Sequence, residues 1–102
     1  MGTPLYRLAK LIRSKNAGPF TLTIDVMFAD LAAMDRVRES GVLHATAVAR
    51  LYGVPVEHVR VFEDRPAIAI KISFPRPIPS GSPGDTDVYG GQFHSPIVEL
   101  EV

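Results

Sequence analysis

Apolar residues near the start of the chain recur at a helical spacing. Four of them fall at i, i+3, i+4 and i+7 and would share one face of a helix: Leu5, Leu8, Ala9 and Ile12. Thr3 can cap this helix, and Gly18 before Pro19 is a stop signal. The pattern therefore predicts one helix over residues 3–18.

The next segment, "FTLTIDVMF", has apolar residues at every second position. The apolar set is Phe20, Leu22, Ile24, Val26 and Phe28. Thr21, Thr23 and Asp25 lie between them. A period of two is that of a strand with one buried face. We therefore predict a strand over residues 20–28.

Two helices are predicted after this strand. The first is "LAAMDRVRES", which Asp30 can cap at its start and Gly41 can end. Its inward positions are predicted to be Leu31, Met34 and Val37. A second, shorter helix is predicted over residues 45–52, with Gly53 as its stop signal.

Three further segments have strand character. "VEHVRVFE" and "AIAIKISF" are predicted to form a hairpin, because residues 63–66 between them suit a turn. The final segment, "IVELEV", alternates apolar residues with Glu99 and Glu101. It is predicted to be the last strand of the domain.

These elements predict an α+β fold in a single small domain over residues 1–102. We expect a mixed sheet of about four strands with the helices on one face. The helical connection between the first two predicted strands indicates that they are parallel and joined by a right-handed crossover. A long Gly/Pro-rich loop, over residues 75–95, precedes the last predicted strand.

Composition narrows the classes of protein that the chain can belong to. Without cysteine there is no disulfide framework and no thiolate chemistry. No apolar run approaches the roughly 18 residues of a membrane helix, and the start of the chain lacks the apolar core of a signal peptide. We therefore expect a cytoplasmic protein that does not contact a membrane.

The net charge is zero, but the charges are unevenly distributed. Up to residue 24 the chain is basic, with Arg7, Lys10, Arg13 and Lys15. After Arg76 it is acidic, with Asp85, Asp87, Glu99 and Glu101. A nucleic-acid-binding domain normally has a net basic surface with aromatic residues. We therefore expect no nucleic-acid partner, and we interpret the basic residues first as a solvated face.

The segment "SGSPGDTDVYGG" is the most unusual stretch of the chain, because neither helices nor strands tolerate its glycines and prolines. Loops of this length in compact domains are usually functional or disordered. Val88, Tyr89 and Phe93 are apolar anchors that a solvated linker would not need. We therefore predict an ordered loop, and we assign these three residues to an interface with another chain.

Three kinds of chemistry are compatible with this loop. Phosphate binding is disfavoured, since "GSPGDT" lacks the Gly-Lys-Ser/Thr ending of a P-loop. Metal binding would use Asp85, Asp87 and His94, but Asp-x-Asp is also common in turns, so we predict no metal and no cofactor. The same three residues are the catalytic candidates, with a carboxylate as general base. His44 and His58 are interpreted as surface residues.

The segments "RSKNAGPF" and "SGSPGDTDVYG" carry a family resemblance. The chain resembles, over residues 5–102, a bacterial family of domains of unknown function numbered four-three-eight-seven. This resemblance implies a relation to the ferredoxin-like C-terminal domain of acyclic terpene utilisation (AtuA-like) proteins. It also implies that residues 13–18 and 80–91 form the functional surface. The substrate-binding candidates are Arg13, Ser14, Lys15, Asn16, Gly84 and Thr86.

The role that the resemblance implies is that of a small accessory subunit of an AtuA-like large protein. The subunit would complete a composite site, in acyl-CoA or carboxylic-acid catabolism, and would be inactive alone. We expect a homo- or hetero-oligomer. Two alternatives stay open: a purely structural oligomerisation module, and a small free-standing hydratase or lyase.

Overall fold

A four-stranded sheet with short helices makes up the described part of the chain. The computed structural model describes residues 2–18, 20–75, 95–98 and 100–102. In chain order the elements are α1 (Leu5–Leu8), β1 (Ala9–Asn16), β2 (Thr21–Phe28), α2 (Leu31–Ser40), α3 (Ala45–Tyr52), a 3₁₀ turn (Val56–His58), β3 (Arg60–Asp64), β4 (Ala69–Pro75) and α4 (Ser95–Val98).

The strand order is β1-β2-β4-β3, and each of the three pairings is antiparallel. The α+β class and the four-stranded sheet are confirmed. The predicted mixed sheet is wrong, because every hydrogen-bonded pairing is antiparallel. Because β2 and β3 are each antiparallel to β4, they run in the same direction. The parallel relation that the helical connection predicted therefore holds for direction, but β4 lies between the two strands.

The core lies between the sheet and the helices. Alternate residues of β2 are fully buried, as the period-two pattern predicted: Leu22, Ile24 and Val26. Ile70, Ile72 and Phe74 of β4 share that face, since they pair with Val26, Ile24 and Leu22. Met34 and Val37 of α2 and Val48 of α3 complete the same buried cluster. Burial of such side chains contributes roughly 1.5–3 kcal/mol each, which makes this layer the main source of stability.

The ends of α2 and α3 follow the local signals in the sequence. Asp30 caps α2, because its Oδ1 accepts a 2.8 Å hydrogen bond from the Ala33 backbone N–H. Gly41 and Gly53 follow the two helices with φ of 81° and 67°, a left-handed conformation that glycine adopts without strain. Leu31 is an exception: it was predicted to face inward but is 40% exposed.

The helix predicted over residues 3–18 is wrong beyond Leu8. Only Leu5–Leu8 are helical, and Ala9–Asn16 form the edge strand β1. The apolar spacing fits a helix because the inward positions of the strand after Ile12 are polar, namely Ser14 and Asn16. A register shift between Ala9 and Leu11 further hides the period of two.

The last predicted strand is also wrong. Ser95–Val98 form α4, and Ile97 is buried in the core. After α4, the Leu100 backbone N–H donates a 3.1 Å hydrogen bond to the carbonyl oxygen of Ile97. Glu101 forms a bridge to Pro4 outside the sheet, where Thr3 and Val102 exchange two backbone hydrogen bonds of 3.1 and 2.9 Å. The remaining stretch therefore pairs with the start of the chain.

The predicted hairpin is present, with later boundaries. Residues 56–58 of the predicted strand form the 3₁₀ turn, and β3 covers Arg60–Asp64. Residues 65–68 make the turn into β4, with Ile68 at a φ of 53°. Most of the predicted loop, residues 76–94, lies outside the described residues. None of the helices in the described ranges combines the length and apolar character that a membrane span requires.

Candidate binding face

The sheet face opposite the core, here called the outer face, holds Arg13 and Lys15, the predicted charged site residues that lie within the described ranges. Strand alternation places three rows of four residues on it. The first row is Leu11, Met27, Ala69 and Asp64. The central row is Arg13, Asp25, Lys71 and Phe62. The cationic row is Lys15, Thr23, Ser73 and Arg60.

An ion pair between Arg13 and Asp25 occupies the central row. The two residues are direct cross-strand partners, and Arg13 Nε donates a 3.2 Å hydrogen bond to Asp25 Oδ2. The Asp25 side chain is 9% exposed, whereas that of Arg13 is 52% exposed. A carboxylate this buried requires a partner, because desolvation disfavours an isolated charge. Arg13 is therefore fixed over the sheet by the charge beneath it.

Lys71 is the second cation of the central row. It lies opposite Asp25 on β4, but its Nζ makes an ion pair with Asp64 Oδ2 on β3, at 3.6 Å. Both side chains are more than a third exposed, so this pair contributes little to stability. Each cation of the central row is thus matched by one carboxylate.

The cationic row differs in its charge balance. Lys15 and Arg60 lie at its two ends and are exposed. Neither forms an ion pair with a carboxylate of the described residues. Between them lie two hydroxyl side chains, Thr23 and Ser73, both half-buried. This end of the outer face therefore carries two cations without a partnering acid in the described part of the chain.

Two shallow depressions meet at Ser73. One, of about 210 Å³, is lined by Lys15, Thr23 and Lys71 among others. The other, of about 250 Å³, is lined by Thr21, His58 and Arg60 among others. Pockets that enclose a small-molecule ligand usually measure roughly 300–1,000 Å³. Each depression can therefore hold part of a ligand, such as one polar group.

A further charged cluster joins α2 to the β3–β4 hairpin. Its members are Asp35, Arg38, Glu63 and Arg65, connected by ion pairs of 3.3 to 3.8 Å. All four side chains are at least a third exposed, so the pairs are screened by solvent. We assign this cluster to the docking of the helix on the hairpin.

The structure divides the predicted binding segment "RSKN" between the two sheet faces. Arg13 and Lys15 project from the outer face. Ser14 and Asn16 project toward the core side, where Ser14 is buried and Asn16 is half-buried. The exposure predicted for the basic residues is confirmed, although they lie on a strand. Ser14 and Asn16 are not on the same surface as the two cations.

The other predicted site residues lie outside the described residues. This applies to Gly84, Asp85, Thr86, Asp87, Val88, Tyr89, Phe93 and His94. Their catalytic, binding and interface roles stay predictions. Of the remaining histidines, both are exposed, and His44 Nε2 lies 3.0 Å from the carbonyl oxygen of Arg38. Within the described ranges, no group of three or more potential metal ligands is clustered.

Sequence reasoning missed four residues of the outer face, namely Asp25, Arg60, Lys71 and Ser73. Asp25 had a local signal, since it is an acid within an otherwise uncharged strand. Arg60, Lys71 and Ser73 had no local sequence signal that marked them as site residues. Their proximity to residues 13–15 follows from the strand order, in which β4 inserts between β2 and β3.

Comparison with known proteins bears out the family resemblance. Neither the curated proteins nor the solved structures include a significant match to the chain. A family model described as a Domain of unknown function (DUF4387) matches residues 5–101 of the 102. The match covers almost the whole chain, including all four strands. The chain therefore belongs to the DUF4387 family of domains of unknown function.

Proposed function

We propose that this domain is an accessory binding subunit whose outer face forms one wall of a composite site. The observation that carries the proposal is the charged outer face itself. Its cationic row borders depressions of about 210 and 250 Å³, which are too small to enclose most ligands. A second protein packed on this face would supply the opposite wall. The partner we propose is an AtuA-like large protein.

The edge of the sheet beside Arg13 offers a contact area for such a partner. Within the described sheet β1 is an edge strand, and an edge presents unpaired backbone groups to which another chain can add. Large apolar side chains on this strand or near it in the sequence are 45–66% exposed: Tyr6, Leu11 and Phe20. Exposed aromatic and aliphatic side chains of this kind are typical anchors at interfaces.

The proposed chemistry of the composite site follows from its cations. Arginine and lysine bind carboxylate and phosphate oxygens through charge-assisted hydrogen bonds. A carboxylic acid or an acyl-CoA thioester carries such oxygens, so both are suitable substrates of the complex. Asp85, Asp87 and His94 stay the candidates for proton transfer. Neither described histidine is hydrogen bonded to a hydroxyl or carboxylate side chain, as a nucleophile–base pair would require.

A structural oligomerisation module is the second candidate function. The exposed apolar side chains beside β1 favour it, because two copies could pair through their edge strands. This candidate does not require the cations of the outer face. The two functions therefore differ in whether Arg13 and Lys15 matter once the chains are assembled.

The test is co-expression of the full chain with an AtuA-like protein, followed by size-exclusion chromatography with light scattering. We expect a hetero-complex that Leu11→Lys weakens at least about tenfold, as for an interface hot spot. Arg50→Gln, a change at an exposed α3 residue, serves as the matched control and should have no effect. A stable homo-oligomer with no hetero-complex would instead establish the structural module.

Activity measurements distinguish the accessory subunit from a free-standing enzyme. Turnover of carboxylic acids and acyl-CoA thioesters is measured for each protein alone and for the complex. We expect turnover by the complex alone, reduced by Lys15→Gln without loss of assembly. Turnover by the isolated 102-residue chain would overturn the accessory role and establish a free-standing enzyme.

A further inference from the structure

We infer that the cationic row of Lys15, Thr23, Ser73 and Arg60 binds the anionic oxygens of a small molecule, as a carboxylate or a phosphate. The inference adds Arg60 and Ser73, on β3 and β4, to the candidate residue Lys15 that the sequence had singled out. It deepens the proposed function, on which its biological role rests. The binding itself is a property of this chain alone.

The register places the four side chains within reach of one ligand. Neighbouring strands lie roughly 4.8 Å apart, so three strand spacings separate the Lys15 and Arg60 backbones by roughly 14 Å. Lysine and arginine side chains are long enough to lean inward from both edges. A ligand seated over the central two strands can therefore contact both cations.

The charge balance favours an anion at this row. Arg13 and Lys71 already pair with Asp25 and Asp64, at 3.2 and 3.6 Å. Lys15 and Arg60 have no such pair among the described residues. A bound anion would supply the partner that each of them lacks in this part of the chain.

Acids do line the two depressions, but they do not neutralise these cations. Asp25 borders the depression of Lys15, and its carboxylate is held by Arg13. Glu57 borders the depression of Arg60 and makes no ion pair with it. Glu57 is exposed, so solvent screens its charge.

Ser73 is the hydroxyl best placed to donate to the anion. It lines both depressions and lies between the two cations. The Thr23 hydroxyl already contacts the Lys15 carbonyl oxygen at 3.4 Å. A serine hydroxyl can rotate to donate to a carboxylate or phosphate oxygen, which adds direction to the attraction of the two charges.

The experiment is an NMR titration of the full chain with two probes, inorganic phosphate and succinate, at constant ionic strength. We expect saturable shifts of the backbone amides of the cationic row with at least one probe. Lys15→Gln and Arg60→Gln should each weaken binding about fivefold, the loss expected for one partly exposed charge pair. Ser73→Ala should weaken it by less, and the control Arg50→Gln should leave it within about twofold.

Each result of the titration either supports the inference or overturns it. Tighter binding of succinate would identify carboxylates as the ligand class, and tighter binding of phosphate would identify phosphate esters. Shifts that do not saturate, or equal weakening by Arg50→Gln, would overturn the inference, since both indicate diffuse attraction. Because the titration needs no partner, failure of the hetero-complex would leave the anion site standing, and the reverse also holds.

Discussion

Arg13 on β1 donates a hydrogen bond of 3.2 Å to Asp25 on β2, directly opposite it, and the two side chains are very unequally exposed. The asymmetry predicts an asymmetric response to mutation. Arg13→Gln leaves a buried carboxylate without its cation and should destabilise the fold by about 1–3 kcal/mol. Asp25→Asn leaves an arginine that water can solvate and should destabilise it less.

Urea unfolding of both variants and of the double variant checks this prediction. The double variant should resemble Asp25→Asn, because removing the carboxylate abolishes the need for its partner. A larger loss of stability from Asp25→Asn than from Arg13→Gln would show that other groups hold the carboxylate.

Asp30→Ala should destabilise the protein by about 1 kcal/mol, because the Ala33 N–H at the start of α2 loses its side-chain acceptor. Asp30→Asn keeps an acceptor oxygen and serves as the matched control, with a loss of a few tenths of a kcal/mol. Thermal unfolding of the two variants measures the difference. Equal stability of the Ala and Asn variants would contradict a capping role.

Gly53→Ala should destabilise the protein by about 1 kcal/mol, because the residue after α3 has a φ of 67°. Among the described residues, no atom beyond Gly53 and its chain neighbours lies within 4 Å of the position that a Cβ would occupy, so the loss is conformational rather than steric. Gly53→Asn should lose less stability, since asparagine tolerates the left-handed region. If Asn and Ala prove equally harmful in chemical unfolding, the conformational explanation is wrong.

Elements whose signals lie within their own segment were predictable from the sequence, whereas those that depend on distant pairing were not. α2 and α3 were predictable because their caps, Asp30, Gly41 and Gly53, lie within the helices' own segments. β1 was not, because its inward residues Ser14 and Asn16 are polar and its strand character depends on pairing with β2. Edge pairing of this kind overrides local propensity.

The outer face shows the same division. Arg13 and Lys15 could be identified as exposed basic residues from their neighbours alone. Arg60 and Ser73 join them only because β4 inserts between β2 and β3, a choice that no local pattern specifies. The carboxylate of Asp25 stood out in its strand, but its partner was identifiable only once the β1–β2 register was known.

Stability at alkaline pH should depend on Tyr52. Burial raises the pKa of its phenol above the ordinary value, and its ring lies 4.6 Å from that of Phe74. The folded state therefore keeps the proton longer than the unfolded state does. Stability from this group is complete below about pH 10 and is lost as the pH rises above that value.

Unfolding measured from pH 8 to 12 in the wild type and in Tyr52→Phe checks this sign. We expect a steeper alkaline decline in the wild type, because the variant has no phenol at this position to ionise. Parallel declines in the two proteins would assign the alkaline sensitivity to other groups, such as the lysines.

The proximity of residues 13–18 and 80–91 stays a prediction, since the second range lies outside the described residues. The absence of native cysteine allows a direct test. We expect a short bismaleimide reagent to cross-link the double variant Lys15→Cys with Asp85→Cys efficiently in the intact chain. The matched pair Arg50→Cys with Asp85→Cys should cross-link poorly. The reverse ranking would refute the shared surface.

The backbone bonds between Thr3 and Val102 join the two ends of the described chain at 2.9 and 3.1 Å. The first and last described residues therefore lie side by side in space. Such a unit can be spliced into one surface loop of a larger protein without spreading that loop, since both junctions are adjacent. Genetic fusion to a partner and free association with it would then place the same domain with little change in its internal structure.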